Sequence, residues 1–384
     1  MRRDYHVIET NRQEISVARQ AFSRRSFGRF AAMLAASTGF NEFALAQVEI
    51  EARRLPNGAV KIDNNENPLG PCKESLDAIA STATDGGRYM FFLPAEMQEL
   101  FASQEGVKQN YVQVHDGSSA PLLQAVLSFT SPTRPFVTVD PGYEAGREAA
   151  DFLGAQTVRV PLLKDYSHDV KAMAAVPNAG LIYVCNPNNP TGSTTPKQDI
   201  AWLVANKPSG SVVMIDEAYI HFAGKEEHTC MDMVAADKDV IILRTFSKIY
   251  GMAGLRCGLA VARPDLLRKT RGMGIGWNPT TTVRAAMAAL KSKSLVAERR
   301  RINADVRDNT VAFLQKKGFP VIPSVSNKFM VDTKRPTRDA IAALRKELVY
   351  VGRPWPSLPT HIRVSVGTRE EMAKFQQAFA KCFA

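Results

Sequence analysis

The chain has 384 residues with 49 basic and 38 acidic side chains, a formal net charge of +11, and 45% hydrophobic and 23% charged residues, which is ordinary for a soluble enzyme of one or two domains with a substantial core. No run reaches the roughly 20 apolar residues that span a bilayer, so no stable membrane association is expected. The basic excess is dispersed rather than gathered in Lys/Arg runs interleaved with aromatics, which argues against nucleic acid as a partner.

The first 46 residues differ from the rest. Ser23-Arg24-Arg25-Ser26-Phe27-Gly28-Arg29 carries twin arginines, a weakly apolar run from Phe30 to Phe40 follows, and Ala44-Leu45-Ala46 has the small-x-small pattern of a cleavage site. This resembles a twin-arginine export signal, with Gly28 where such signals prefer leucine. It implies the twin-arginine translocon as a partner, cleavage after Ala46 and a periplasmic location. Read instead as a plain N-terminal extension, the same residues leave the protein in the cytoplasm.

Residues 47–75 are expected to form an arm, since Asp63-Asn64-Asn65-Glu66-Asn67-Pro68-Leu69-Gly70-Pro71 is too rich in Asn, Pro and Gly for a helix. A helical pattern runs from Cys72 to Ala83, and Arg88-Tyr89 follows Gly86-Gly87 in a loop. His115-Asp116-Gly117-Ser118-Ser119-Ala120 precedes an apolar helical run, Pro121 to Phe129, so that free N–H groups at a helix start and two hydroxyls offer a phosphate cradle. Apolar strand runs then alternate with helical segments, the signature of an α/β fold with a mostly parallel central sheet. Phe136–Val139 ends at Asp140-Pro141-Gly142-Tyr143. Leu181–Val184 ends at Asn186-Pro187-Asn188-Asn189-Pro190-Thr191-Gly192. Val212–Ile215 ends at Asp216-Glu217-Ala218-Tyr219, and Val240–Leu243 at Thr245-Phe246-Ser247-Lys248. Each polar motif falls at the carboxyl end of a strand, the edge where open α/β sheets bind ligands. A large domain is assigned to residues 76–282. A smaller α/β domain, 283–384, has a long charged helix (Leu295–Lys317), strands at Lys328–Asp332 and Ile362–Val366, and a helix opened by a Thr368/Glu371 capping box.

Lys248 is the residue on which the chemistry turns. A lysine directly after a buried strand is either a solvated residue at the strand end or a desolvated amine able to form a Schiff base with a carbonyl. Ser247 and Arg256 beside it serve an anion, and the combination suggests pyridoxal 5′-phosphate (PLP). The five cysteines, Cys72, Cys185, Cys230, Cys257 and Cys382, are not spaced as a metal site; no metal is expected and no disulfide is assigned.

Asn186–Gly192, Asp216–Tyr219 and Thr245–Lys248 with Gly254-Leu255-Arg256-Cys257-Gly258, in this order and spacing, resemble the fold-type I PLP aminotransferases of class I/II. The nearest subgroup is histidinol-phosphate aminotransferase, which Asn65-Glu66-Asn67-Pro68 and Ile362-Arg363-Val364-Ser365-Val366-Gly367-Thr368 also match. The resemblance covers residues 60–384. It implies a homodimer, an amino donor and a carbonyl acceptor as substrates, and a ping-pong transfer. It makes Lys248 the Schiff-base lysine and proton carrier, and Asp216 the partner of the pyridinium nitrogen. Tyr219 and Asn189 become ligands of the ring 3′-oxygen, Tyr143 the aromatic stacked on the ring, and Gly117, Ser118, Ser119, Ser247 and Arg256 the phosphate site. Tyr89 corresponds to a tyrosine reaching the partner subunit's phosphate. Arg363 corresponds to the bidentate ligand of the substrate carboxylate or phosphate, with Asn189 also on the substrate side. Arg353 stays open between a second anion contact and a solvated loop arginine.

Two positions depart from the subgroup. Ser119 and Ala120 replace an acidic pair after the phosphate-loop glycine, and residues 47–64 lack the tyrosine that faces the substrate. Histidinol phosphate is therefore expected to be a poor substrate. A PLP decarboxylase or other α-carbon lyase on the same scaffold is the rival reaction, since fold does not fix chemistry. A non-catalytic PLP-binding regulator is the rival of another class, and it would need a DNA-binding segment that the leader region does not offer.

Overall fold

The computed structural model describes residues 55–272 and 278–383. The expected export leader, its expected cleavage site and the start of the arm lie outside the described residues. The strands in chain order are β1 (Val60–Ile62), β2 (Val112–His115), β3 (Phe136–Asp140), β4 (Thr157–Pro161), β5 (Leu181–Cys185), β6 (Val212–Asp216), β7 (Val240–Thr245), β8 (Gly258–Val261), β9 (Val321–Ile322), β10 (Lys328–Asp332), β11 (Val349–Val351) and β12 (His361–Ser365). Three helices matter for the site: α1 (Ser119–Phe129), α2 (Leu295–Lys316) and α3 (Arg369–Phe383).

The central sheet has seven strands in the order β2-β8-β7-β6-β5-β3-β4. The pairs β3/β4, β3/β5, β5/β6 and β6/β7 are parallel, and β8 runs antiparallel to both β7 and β2. Every residue of β5, β6 and β7 is buried, because helices cover both faces of a parallel sheet. Their Leu-Ile-Tyr-Val, Val-Val-Met-Ile and Val-Ile-Ile-Leu runs therefore read as continuous apolar stretches rather than alternations. Each such aliphatic side chain contributes about 1.5–3 kcal/mol by leaving water. The α/β class and the mostly parallel sheet are as the sequence indicates. Strands β2, β4 and β8 were not singled out from the sequence, although β2 runs directly into the His115–Ala120 loop noted there.

A second hydrophobic core gathers Phe329, Val331, Leu344, Ile362, Val364, Phe375 and Phe379 around the antiparallel sheet β12-β10-β9. The arm is not wholly irregular: β1 pairs in parallel with β11, Val60 opposite Val349. A three-residue strand whose partner lies almost 300 residues away leaves no local trace. The capping box of α3 forms as expected, with the Thr368 N–H donating to Glu371 Oε2 at 2.7 Å and the Glu371 N–H to Thr368 Oγ1 at 3.2 Å. The five cysteines are free thiols, four of them buried.

The ends of β6 and β7 are fixed by a buried ion pair. Arg244 Nε donates to Glu217 Oε2 at 2.7 Å, and Glu217 Oε1 also accepts the Cys230 N–H at 2.7 Å. Such pairs add little net stability but impose one geometry, here on the residues either side of Asp216 and Lys248.

Candidate active site

Asp216 closes β6. Its Oδ2 accepts the Tyr183 hydroxyl at 2.8 Å from the neighbouring strand, and its Oδ1 accepts the Ala218 N–H at 3.0 Å. Burial raises its pKa above the ordinary carboxylate value, opposed by these hydrogen bonds and by Lys248 and Lys328. A desolvated carboxylate anchored this way is set to pair with a cationic N–H.

Lys248 lies past the end of β7, partly buried, with Nζ 5.7 Å from the centre of the Tyr219 ring and donating to the Asn64 carbonyl at 3.4 Å. Burial, and then the charge of Arg363, lower its pKa to about 8, against the pull of Glu66 and Asp216. Of the two readings open from the sequence, the solvated strand-end lysine does not describe this side chain.

The loop between β2 and α1 forms a cradle with Arg256. Gly117 has φ +116°, and a Cβ there would lie 2.3 Å from Arg256 Nη2. A Cβ on Gly258 would lie 2.5 Å from the Gly117 carbonyl carbon and 2.6 Å from Ser118 N. Arg256 itself has φ +59°; its Nη1 donates to the Ala253 carbonyl at 2.9 Å and reaches Ser247 Oγ at 3.5 Å. A guanidinium, a hydroxyl and the N-terminus of an 11-residue helix thus face one small space, a donor set suited to a phosphate monoester. Tyr143 stands beside it, hydrogen-bonded to Ser119, its phenol pKa raised mainly by burial.

Opposite the cradle, Asn65 Nδ2 donates to the Tyr219 hydroxyl at 3.1 Å and to Asn189 Oδ1 at 3.3 Å. Asn189 Oδ1 also accepts Arg363 Nη1 at 3.1 Å, and Arg363 Nη2 donates to the Asp63 carbonyl. Arg363 is buried, its pKa lowered to about 10 chiefly by desolvation, and its Nε has no hydrogen-bond partner among the described residues. Two of its five N–H donors are thus engaged by Asn189 and Asp63, and Nε is buried without a partner.

Two residues stand apart from the cluster. Arg353, left open from the sequence between a second anion contact and a solvated loop arginine, is half-buried, pairs with Glu144 and lies 4.2 Å from the Trp355 ring centre. Tyr89 is 80% exposed, its ring stacked on Phe91 at 5.2 Å.

Several residues of the site were not singled out from the sequence. Asn65 sits in a motif that was noted, but its φ of 54° and its link to Tyr219 are tertiary facts. Tyr183 reads as a core residue of β5. Arg299 of α2 donates to the carbonyls of Ile249 and Gly70 at 3.0 and 2.7 Å and so holds the segment after Lys248. Lys328, at the start of β10, is wholly buried with Nζ 3.1 Å from the Tyr219 ring centre. A lysine in the run Lys-Phe-Met-Val was the available signal for it.

Residues 58–379 match the family model described as aminotransferase class I and II. The chain belongs to this family. It is 31% identical over 349 residues to the histidinol-phosphate aminotransferase of Moorella thermoacetica, covering 88% of each chain. It is 30% identical over 331 residues to the aromatic amino acid aminotransferase of Cutibacterium acnes, covering 84% of this chain and 92% of that one. Among solved structures, the histidinol-phosphate aminotransferase of Sinorhizobium meliloti in complex with pyridoxal-5′-phosphate superimposes with a TM-score of 0.79 at 25% identity, over 87% of this chain and 93% of that one.

The protein is accordingly a PLP-dependent aminotransferase with the fold-type I architecture. Its residues fit the cofactor. The cradle around Gly117 admits a phosphate only because two glycines leave room, Asp216 offers a desolvated carboxylate, and Lys248 offers a low-pKa amine.

Proposed function

We propose that this aminotransferase is exported, homodimeric and specific for an anionic amino donor other than histidinol phosphate, and that it works by a ping-pong cycle. The observation that carries the reading is Arg363: a buried guanidinium without a carboxylate partner among the described residues, within the same hydrogen-bonded cluster as Asn189 and Tyr219. A buried guanidinium offers a fork for a carboxylate, and because one such site serves donor and acceptor in turn, the 2-oxo acid leaves before the acceptor enters. PLP, when bound, supplies the electron sink for the α-carbon. Asp216 keeps the ring nitrogen protonated, Tyr219 and Asn189 orient the ring oxygen, Tyr143 covers the ring face, and Lys248 carries the proton at the α-carbon.

The substrate side speaks against histidinol phosphate. The backbone of Asp63 and Asn64 meets Arg363 and Lys248, with no tyrosine from that loop to face the substrate. A lost hydrogen bond to a charged group is worth about 1.5–3 kcal/mol, roughly one to two decades in specificity. The exposed Tyr89 supports a dimer in which it reaches the partner's phosphate site. Export rests on Arg24-Arg25 and Ala44-Leu45-Ala46. Among the described residues no helix is long and apolar enough to cross a membrane.

A single-turnover screen tests the reading. One equivalent of each candidate amino acid or amine, histidinol phosphate included, is mixed with the loaded enzyme and the cofactor absorbance is followed. A carboxylate-bearing donor is expected to react fastest and to yield a 2-oxo acid. Histidinol phosphate as the best donor, or release of carbon dioxide, overturns it. The intact mass of exported protein checks the leader: a chain still beginning at Met1 refutes cleavage after Ala46.

A further inference from the structure

Lys328 is the one strong feature of the site to which no role has been given. It is wholly buried, its Nζ donates to Ser326 Oγ at 2.9 Å, and it makes no ion pair with a carboxylate among the described residues. A buried ammonium without a counter-ion costs several kcal/mol, and its neighbours in β10, Phe329, Met330 and Val331, are apolar. Its place in the sheet is informative. In the β10–β12 register Lys328 lies opposite Ser365 and Met330 opposite Arg363. Lys328 and Arg363 therefore project from the same face as diagonal cross-strand neighbours, separated by roughly 7–8 Å in such pairs, within reach of long side chains. The Lys328 amine rests on the ring of Tyr219, whose hydroxyl is joined through Asn65 and Asn189 to Arg363.

We propose that Lys328 is a specificity-determining residue, its amine serving beside Arg363 as the second ligand of a carboxylate on the amino donor. This rests on the reading that Arg363 takes the substrate carboxylate. The groups that act on Lys328 are Cys185 of β5, Asp216 of β6, Tyr219, Lys248 and Arg363. Burial first, then the cations Arg363 and Lys248, push its pKa well below the ordinary lysine value, while Cys185 and Asp216 oppose this. In the substrate-free site the amine is thus held toward its neutral form. An entering carboxylate supplies the missing counter-charge, so the amine takes up a proton as the anion binds. A neutral amine spares the resting enzyme part of the cost of a second buried cation and yields the full charge only against an anion.

The test uses the PLP-loaded enzyme and maleate, a dicarboxylate with no amino group to react. Maleate binding is followed by the cofactor absorbance and by calorimetry in two buffers of different ionisation enthalpy. Protons taken up by the cofactor itself are read from the absorbance and subtracted. The wild type is expected to bind at least about tenfold more tightly than Lys328→Met and to take up close to one more proton per site. Lys328→Gln, which keeps a hydrogen-bond donor without the charge, is expected to match Lys328→Met and serves if that variant does not load cofactor. Equal affinity and equal proton uptake in wild type and variants overturn the role of Lys328 while leaving the carboxylate site standing. Absence of any maleate binding in all of them overturns the Arg363 carboxylate reading and this inference with it.

Discussion

The cradle around Gly117 gives the sharpest quantitative expectation, because one added methyl group acts on two separable quantities. In Gly117→Ala the new Cβ would lie 2.3 Å from Arg256 Nη2 and 3.0 Å from its Cζ. Ordinary contact needs about 3.5 Å, so the guanidinium must retreat by roughly 1 Å. A charge-assisted hydrogen bond of about 2.8 Å to a phosphate oxygen is then stretched to nearly 4 Å and lost. That loss is worth about 1.5–3 kcal/mol, or roughly 10- to 150-fold in PLP affinity. The backbone strain at φ +116° is a different matter: it burdens free and loaded protein alike, and so appears as about 1–3 kcal/mol of folding stability and not in affinity. Apo-protein titrated with PLP by fluorescence gives the first number, and thermal melting of the apo-protein gives the second. Arg256→Ala is expected to match the affinity loss without the strain, and the double variant to lose no more affinity than either single one. If Gly117→Ala holds PLP within threefold of the wild type, or if the two losses add, the cradle is not built around this contact.

Four further outcomes are expected. Only the unprotonated Lys248 amine adds to the PLP carbonyl, so the rate of covalent capture by apo-protein should rise about tenfold per pH unit below 8 and flatten above it; a profile still climbing near 10 refutes the low pKa. Because the folded chain releases this proton near 8 and the unfolded chain near 10.5, the unfolded state binds more protons between those values, and apo-protein stability should increase with pH across that window, as denaturant titrations can show. Asp216→Ala should retain PLP yet slow removal of the α-proton by several orders of magnitude in stopped-flow absorbance, and unchanged turnover would show that Asp216 does not face the ring nitrogen. Tyr89→Phe should weaken PLP retention by about 1.5–3 kcal/mol, one hydrogen bond to a charged group, and a fully active monomer in sedimentation would sink the cross-subunit role.

The part of the site legible in the sequence is the part carried by single strands. Asp216, Lys248 and the Asn186–Gly192 loop each follow a buried apolar run whose parallel pairing puts its carboxyl end at one sheet edge, so order along the chain becomes proximity in space. Gly117 was legible for a related reason, a glycine at the start of an apolar helix. Its necessity was not, because that depends on Arg256 arriving 139 positions later in the chain with a left-handed backbone.

What escaped the sequence is the fastening of the Asp63–Asn65 segment to β12. The Asn65 N–H donates to Ser365 Oγ at 2.8 Å and Ser365 Oγ donates back to Asn65 Oδ1 at 3.2 Å, across 300 residues. Arg363 reaches the Asp63 carbonyl across the same span. A turn-rich segment near the start of the described chain is thereby fastened to β12 near its end, and Asn65 carries that fastening on to Tyr219 of the cofactor site. Lys328 escaped the sequence as well. As a residue of β10 it reads as an ordinary strand-start lysine, and only the antiparallel register with β12 turns it toward Arg363 and Tyr219. Cofactor chemistry is written in local motifs because a phosphate and a ring need donors at fixed strand ends. The substrate choice proposed for Arg363 and Lys328 would instead rest on side chains that β10 and β12 bring to the same face, and a one-residue slip of β10 against β12 would send Lys328 to the opposite face of the sheet and remove it from the site altogether.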